Sequence, residues 1–486
     1  MMRALFAAAA LGAASVLGFA PFEVFALPIF TLALLFRLWQ RAATPGIAAR
    51  LGFTWGLGFF LAGVSWVYVS LHEVGGMAAP LAVIATVLFC AYLALFPALA
   101  GYLACRLASA DFRQDVLMLA GIWTLTEALR GALFTGFPWL AVGYSATPPN
   151  PLAGFAPVLG IHGMNFLVAL LAALLAHGTA SWARTATVLT VIGLLAGTGQ
   201  LLRGMAWTSP VGAPLMVALL QGNVPQSLKW EPERLPLSLD TYARLAQEHP
   251  AALTVLPETA IPLFFDQVPD ELWQTLMRHG DLLVGIAVRH REGGYVNGAV
   301  ALTQAGAQSY AKRHLVPFGE YVPPGFAWFF DLVKIPMSDF SAGPPRQPPL
   351  AVAGQKIAPN ICYEDLFGVE LLEALPEATL LINLSNTAWF GRSLAQDQHL
   401  QIARLRALET GRMMLRATNT GMTAAIAPDG RVIASLPPFT TGALVVTVQG
   451  YTGLTPYARW GDTLSLLLAI GAVSPACLTA WRRRSR

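Results

Sequence analysis

Apolar and polar positions alternate in two different ways along this chain. Up to about residue 210, uninterrupted apolar runs are separated by short polar breaks. A run of about 20 apolar residues is long enough to cross a bilayer as a helix. The runs at roughly 4–20, 24–40, 51–71, 79–103, 115–134, 163–182 and 186–203 therefore predict seven spans, and a run at about 463–481 predicts an eighth. The first run, with Arg3 ahead of it, also has the outline of a secretory signal. A second apolar run follows almost at once, and Pro21-Phe22-Glu23 is a poor cleavage context, which favours an uncleaved helix.

From about 214 to 449 the runs become short and rich in β-formers. Leu215–Leu220, Leu253–Leu256, Leu282–Val288, Ile357–Ile361 and Thr379–Leu384 read as buried strands separated by polar helical stretches. Ala424–Ala427, the turn Pro428-Asp429-Gly430 and Arg431–Ala434 read as a hairpin. Continuously apolar strands belong to a sheet covered on both faces. The division expected is residues 1–210 as seven membrane helices, 211–450 as an α/β domain, and 451–486 as a final helix with a basic tail.

Composition supports two solvents. The chain is 55% hydrophobic and 12% charged, with mean hydropathy +0.55, whereas soluble domains carry about 25% charged residues. Five acids, Glu23, Glu73, Asp111, Asp115 and Glu127, precede residue 211, and the other 22 of 27 follow it. The net charge of +4 is small and its basic residues are scattered, with no nucleic-acid signature. Arg37, Arg41, Arg50, Arg106, Arg113, Arg184 and the terminal Arg482, Arg483, Arg484 and Arg486 fall at alternate span ends. The loops at 21–23 and 72–76 are poor in positive charge. By the positive-inside rule both termini are cytoplasmic and the α/β domain is extracytoplasmic, which in a bacterium is the periplasmic face of the inner membrane. Glu127 and Arg130, three residues apart within one span, are expected to pair. The stretch Gly136-Phe137-Pro138-Trp139-Leu140 reads as an interfacial aromatic loop, or more sharply as a wall for lipid entry.

Polar residues recur just after the predicted strands, where open α/β sheets build their sites. Three of them form a chemical set. Cys362, in Asn360-Ile-Cys-Tyr-Glu-Asp365, is a candidate nucleophile. Glu258, in Leu256-Pro-Glu-Thr259, is a candidate base. Lys312, in a stretch running to Glu320, is a candidate cation. A thiol attacks an acyl carbonyl as thiolate, so a base must take its proton. The oxyanion then needs positive charge or N–H donors, from Lys312 and the Tyr363 main chain. Cys90, Cys105 and Cys477 sit in or beside apolar runs and read as small core residues. His314 and His399 have no second ligand at metal spacing, so no metal or other cofactor is expected.

Leu256-Pro-Glu-Thr259, Lys312-Arg-His-Leu-Val-Pro-Phe-Gly-Glu320 and Ile361-Cys-Tyr-Glu364 resemble the three motif blocks of the nitrilase, or carbon–nitrogen hydrolase, superfamily. Placed between membrane spans, and with Gln221–Trp230, Ser385–Gly391, Gln398–Glu409 and Arg416–Gly421, the chain resembles the bacterial apolipoprotein N-acyltransferase family over nearly its whole length. One departure is Thr387, where that family usually has Asp. The resemblance implies an αββα sandwich and a Glu258-Lys312-Cys362 triad. It implies acyl transfer from a membrane phospholipid, phosphatidylethanolamine above all, through a Cys362 thioester to the N-terminal amine of a diacylglyceryl-cysteine lipoprotein. Glu320 would orient Lys312 or shuttle protons, Tyr363 and Glu364 would shape the site, and Trp230 and Trp389 would serve as lid or acyl-chain contacts or simply pack; Trp139 of the aromatic loop is the further candidate for substrate contact. A membrane-tethered amidase that uses water as acceptor remains the alternative.

Overall fold

The computed structural model describes the chain except residues 110, 178–180, 227–232, 234, 291–292, 327–338 and 485–486 and the side chain of 484. Trp230 and Arg486 lie outside the described residues. The chain divides into two compact units. One holds residues 1–68, 80–205 and 459–486, and the other holds 69–79 and 206–458.

The first unit is helical. Among the described residues, five helices are long and apolar enough to cross a membrane: Pro45–Gly63, Ala79–Leu107, Pro151–His177, Trp182–Arg203 and Thr463–Arg483. Met2–Gly18 and Ala26–Gln40 are apolar but shorter. Phe112–Arg130 carries Arg113, Asp115, Glu127 and Arg130. Each of the eight expected runs thus contains a helix, and among the described residues five helices meet the length and hydropathy of a span.

Boundaries differ from the apolar runs because caps decide them. Thr44 accepts a bond from the Ile47 N–H with Pro45 at the first helical position. Asp111 accepts from Arg113 and Gln114, and Ser181 from Arg184. Each polar side chain satisfies N–H groups that a helix start leaves open. The third helix therefore begins at Pro45 and ends at Gly63, short of the expected 71. Residues 70–74 instead form a π-turn that packs with the second unit.

Glu127 and Arg130 pair at 2.7 Å and are buried. Arg130 also donates to the main-chain oxygens of Phe137 and Trp139, and so ties down the aromatic loop. Cys90 is buried and Cys105 partly so. Cys477, expected in a core, lies exposed on the helix Thr463–Arg484, because that helix turns much of its apolar surface outward.

The second unit is built on two six-stranded sheets. The strands are β1 Ser209–Gln221, β2 Leu253–Leu256, β3 Asp281–Arg289, β4 Tyr295–Thr303, β5 Gly306–Ala311, β6 Leu350–Val352, β7 Gln355–Ile361, β8 Leu380–Ser385, β9 Met414–Thr418, β10 Ala424–Ile426, β11 Val432–Ser435 and β12 Gly442–Thr452. The orders are β12-β1-β2-β3-β4-β5 and β11-β10-β9-β8-β7-β6. In the first sheet β1, β2 and β3 run parallel, and in the second β7, β8 and β9 do.

Side chains alternate across each strand, and here both faces are apolar. Val217 and Leu219 of β1, Leu283 of β3, and Leu380, Ile382 and Leu384 of β8 meet between the sheets. Ala218 and Leu220, with Leu282, Val284 and Ile286, pack outward against Tyr242 and Leu245 of helix Leu235–Glu248. Leu381 packs outward against Leu400, Ala403 and Ala407 of helix Ala395–Thr410. This is an αββα sandwich, and its double burial is why the strands read as unbroken apolar runs. The parallel strands end at one edge of each sheet, and the residues that follow them form the site.

Candidate active site

Glu258 follows β2 through Pro257. The backbone turns sharply there, with Thr259 at φ +43°. Gly285 on β3 permits this turn, since a Cβ there would lie 2.6 Å from Glu258 Cα. The Glu258 carboxylate accepts the Asn386 N–H at 2.8 Å, just past the end of β8. Lys312 is the first residue after β5 and is 1% exposed. Its Nζ reaches Glu258 Oε1 at 3.4 Å and Glu320 Oε2 at 2.8 Å. Glu320 sits on a tight turn with Phe318 at φ +64°, and its Oε2 accepts the Val316 N–H at 2.8 Å.

Asn297, in mid-β4, donates from one amide nitrogen to Glu258 Oε1 and Glu320 Oε1, each at 2.8 Å. Its main-chain oxygen accepts the Lys312 N–H at 2.8 Å. Two buried carboxylates are thus held together by one ammonium and one amide. Asn297 is not among the residues that the sequence motifs bring forward. Its signal was a lone amide next to Gly298 inside an otherwise apolar run.

Cys362 begins a short turn after β7 and is buried, with φ +53°. A non-glycine residue in the left-handed region costs energy and persists only where its surroundings over-determine it. Glu364 supplies part of that constraint. Its Oε2 accepts the Ile361 N–H at 2.6 Å. Its Oε1 accepts from Arg313 N at 2.7 Å, His314 N at 3.2 Å and Tyr310 Oη at 2.9 Å. One carboxylate therefore fastens the Cys362 turn to the segment that carries Lys312. Tyr310 was not foreseen, because its contact depends on pairing in space. Asn383 Nδ2 donates to the Cys362 main-chain oxygen at 3.1 Å.

Burial, then the Glu258 carboxylate, pushes the Cys362 thiol up to about 12, against the pull of Lys312 and Ser385. At neutral pH the sulfur is a thiol. Burial lowers the Lys312 ammonium, but Glu320, Glu258 and Cys362 outweigh it and its pKa is raised, so it stays charged. Burial also pushes Glu364 up to about 7, against Lys312 and the main-chain N–H bonds. The arrangement is a neutral thiol beside a carboxylate that can take its proton, with a fixed cation at hand. That is the equipment for nucleophilic acyl transfer.

Tyr363 follows the thiol, its ring against His314 and Phe367. Trp389 is half-buried on the turn Thr387–Phe390, where its main-chain oxygen accepts the Ser70 hydroxyl at 2.8 Å. Thr387 is buried and its main-chain oxygen accepts from Gln396 at 3.1 Å. Trp139 belongs to the helical unit, 1% exposed and packed on Trp66 and Phe137.

Comparison with known proteins follows this division. Residues 11–174 match the family model described as apolipoprotein N-acyltransferase N-terminal domain, and residues 216–457 match the one described as carbon-nitrogen hydrolase. The chain is 51% identical to an apolipoprotein N-acyltransferase of Nitrosomonas europaea, over 97% of each chain. It is 47% identical to one of Chromobacterium violaceum, over 99% of this chain and 95% of that protein. It is 45% identical to one of Ralstonia nicotianae, over 99% and 93%.

Proposed function

From the premise that the chain belongs to the apolipoprotein N-acyltransferase family, we propose how its site carries out N-acylation of lipoproteins in a membrane. Cys362 is the nucleophile and takes the acyl group of a phospholipid, phosphatidylethanolamine first among them. Glu258 accepts the thiol proton as the sulfur attacks the ester carbonyl. Lys312 stabilises the oxyanion, oriented by Glu320 and Asn297. Collapse of the tetrahedral intermediate expels the lysophospholipid alkoxide, which Glu258 reprotonates, and leaves a Cys362 thioester. The neutral N-terminal amine of the diacylglyceryl-cysteine acceptor then attacks that thioester; the C–S bond breaks as the amide C–N bond forms, and Glu258 takes the proton from the nitrogen and returns it to the departing Cys362 thiolate. Residues 211–450 act as the catalytic domain, between the helices of 1–210 and 451–486.

The observation that carries this reading is the buried Lys312 held between Glu258 and Glu320, with Cys362 buried in a left-handed turn after β7. Two acyl substrates competing for one sulfur favour release of the first product before the second substrate arrives, which is ping-pong order. Enzyme mixed with phospholipid alone is expected to gain one acyl mass on Cys362, and added diacylated lipoprotein to remove it and gain it. Acyl-enzyme that forms only when lipoprotein is also present overturns the order. Release of free fatty acid with no acyl gain on the acceptor makes the protein an amidase-like hydrolase instead.

The loop arginines support a bacterial inner-membrane location with the catalytic domain on the periplasmic side. A reporter that is active only in the cytoplasm is expected to be silent when fused near residue 300. Strong activity there reverses the orientation.

A further inference from the structure

Glu364 and Asn383 hold the entry and the carbonyl of Cys362, and a different set of groups holds the exit of the same turn. Asp365 lies three residues after the nucleophile and is 0% exposed. Its Oδ1 accepts from His399 Nε2 at 2.7 Å, and its Oδ2 pairs with Arg416 Nη1 at 2.7 Å. His399 is on helix Ala395–Thr410 and Arg416 on β9, and both are 1% exposed. Neither element contributes to the Glu258–Lys312–Glu320 cluster.

Burying a carboxylate, an imidazole and a guanidinium together is unfavourable compared with filling the same space with apolar side chains. The same helix buries a second charged pair, Arg406 with Glu409 at 2.8 Å, and apolar side chains at other positions. Leu400, Ala403, Ala407 and Met414, from the same helix and strand, form an apolar cluster. Of these two buried charged groups on the helix, the Asp365–His399–Arg416 set is the one whose carboxylate stands on the turn that carries a left-handed Cys362. Burial, then Arg416, lowers the His399 pKa, against Asp365 and the Cys362 main chain. The imidazole is thus neutral near pH 7 and uses Nε2–H as a directional donor to Asp365.

We propose that the buried Asp365–His399–Arg416 network is a positioning device for the nucleophile, holding the exit of the Cys362 turn so that the thiol stays in reach of Glu258 and Lys312. The three residues act through Cys362 and do not touch substrate. This inference rests on Cys362 being the nucleophile, as proposed above. Two carboxylates on one short turn then divide the work. Glu364 ties the turn to the Lys312 segment, and Asp365 ties it to the helix and strand behind it.

The test uses full-length enzyme in lipid nanodiscs. His399→Leu keeps volume and removes the donor, and His399→Gln returns an N–H donor at the distance of Nε2. Three quantities are measured: the single-turnover rate of Cys362 acylation by phospholipid, the donor concentration at half-saturation, and the rate at which iodoacetamide alkylates Cys362. Misplacing a reacting group by about 1 Å costs on the order of 10²-fold in rate. His399→Leu is therefore expected to slow saturated acylation by about 10- to 100-fold with half-saturation unchanged. Alkylation by the small reagent should speed up as the turn loosens, and His399→Gln should restore both rates.

A purely structural residue gives another pattern, in which both variants fail alike or the half-saturation concentration moves and the saturated rate does not; either result overturns the proposal, as does a wild-type rate in His399→Leu. If His399→Leu does not reach the membrane, His399→Asn replaces it, with its amide one atom short of Asp365, and the same contrast with His399→Gln decides. If wild-type enzyme itself forms no acyl-enzyme, the function reading has failed. The alkylation contrast then decides the positioning role by itself.

Discussion

Replacing Cys362 with serine is expected to lower acyl-enzyme formation at least about 10³-fold, in a protein that still folds and inserts. The reason lies in the balance around the sulfur. Burial and Glu258 already push the thiol up to about 12, so attack depends on proton transfer to Glu258 as the bond forms. A serine hydroxyl is a far weaker acid in the same dry site. It faces a carboxylate already held by Asn297, the Asn386 main chain and Lys312. Glu258→Gln is expected to match this loss by removing the acceptor instead of the donor. The measurement is mass analysis of enzyme incubated with phospholipid, at a time when wild type is fully acylated. Serine enzyme that retains more than about a tenth of the wild-type rate would show that the nucleophile has been misassigned.

Lys312→Met is expected to slow acylation by about 10²–10³-fold, the usual effect of one lost oxyanion donor, and also to change the shape of the pH profile. Lys312 lies 3.4 Å from Glu258 and 2.8 Å from Glu320, and both carboxylates share the Asn297 amide. Without the cation, two like charges are left close together in a buried site, and such a pair raises the pKa of one member. A carboxyl with a raised pKa is protonated below that pKa and cannot act as base. The Glu258–Glu320 pair then holds a proton as pH falls through the raised value and gives it up as pH climbs. The ascending limb of the variant's acylation profile should therefore lie at higher pH than that of wild type. A variant that is slower by a constant factor, with its limb unmoved, would mean that Lys312 contributes only to the oxyanion and not to the ionisation of Glu258.

How far these residues could be read in advance follows from what each depends on. Cys362, Glu258, Lys312 and Glu320 lie at the ends of apolar runs or on a motif, so sequence order already brought them forward. Asn297 and Tyr310 are as close to the chemistry, yet neither carries a local sign of it. Each is defined by a bond to a residue 23 or more positions away. Trp139, read as a substrate contact from its aromatic company, is packed on Trp66 and Phe137 within the helical unit.

The sequence by itself determined the two-part organisation, since the apolar runs and the uneven placement of acids follow from the solvent each segment meets. It determined most strands of the sandwich, because strands covered on both faces must be apolar throughout. It also determined the chemical types available at the strand ends. The folded chain fixed the helix starts, through side-chain caps at Thr44, Asp111 and Ser181 that the apolar runs by themselves do not mark. It alone brought residues 69–79, from between two apolar helices, into the unit that holds the site. It alone set the ionisation of the site: a thiol held neutral by burial and an ammonium held charged by two carboxylates. Those states depend on distances of a few ångströms in a dry interior, which a linear order of residues does not contain.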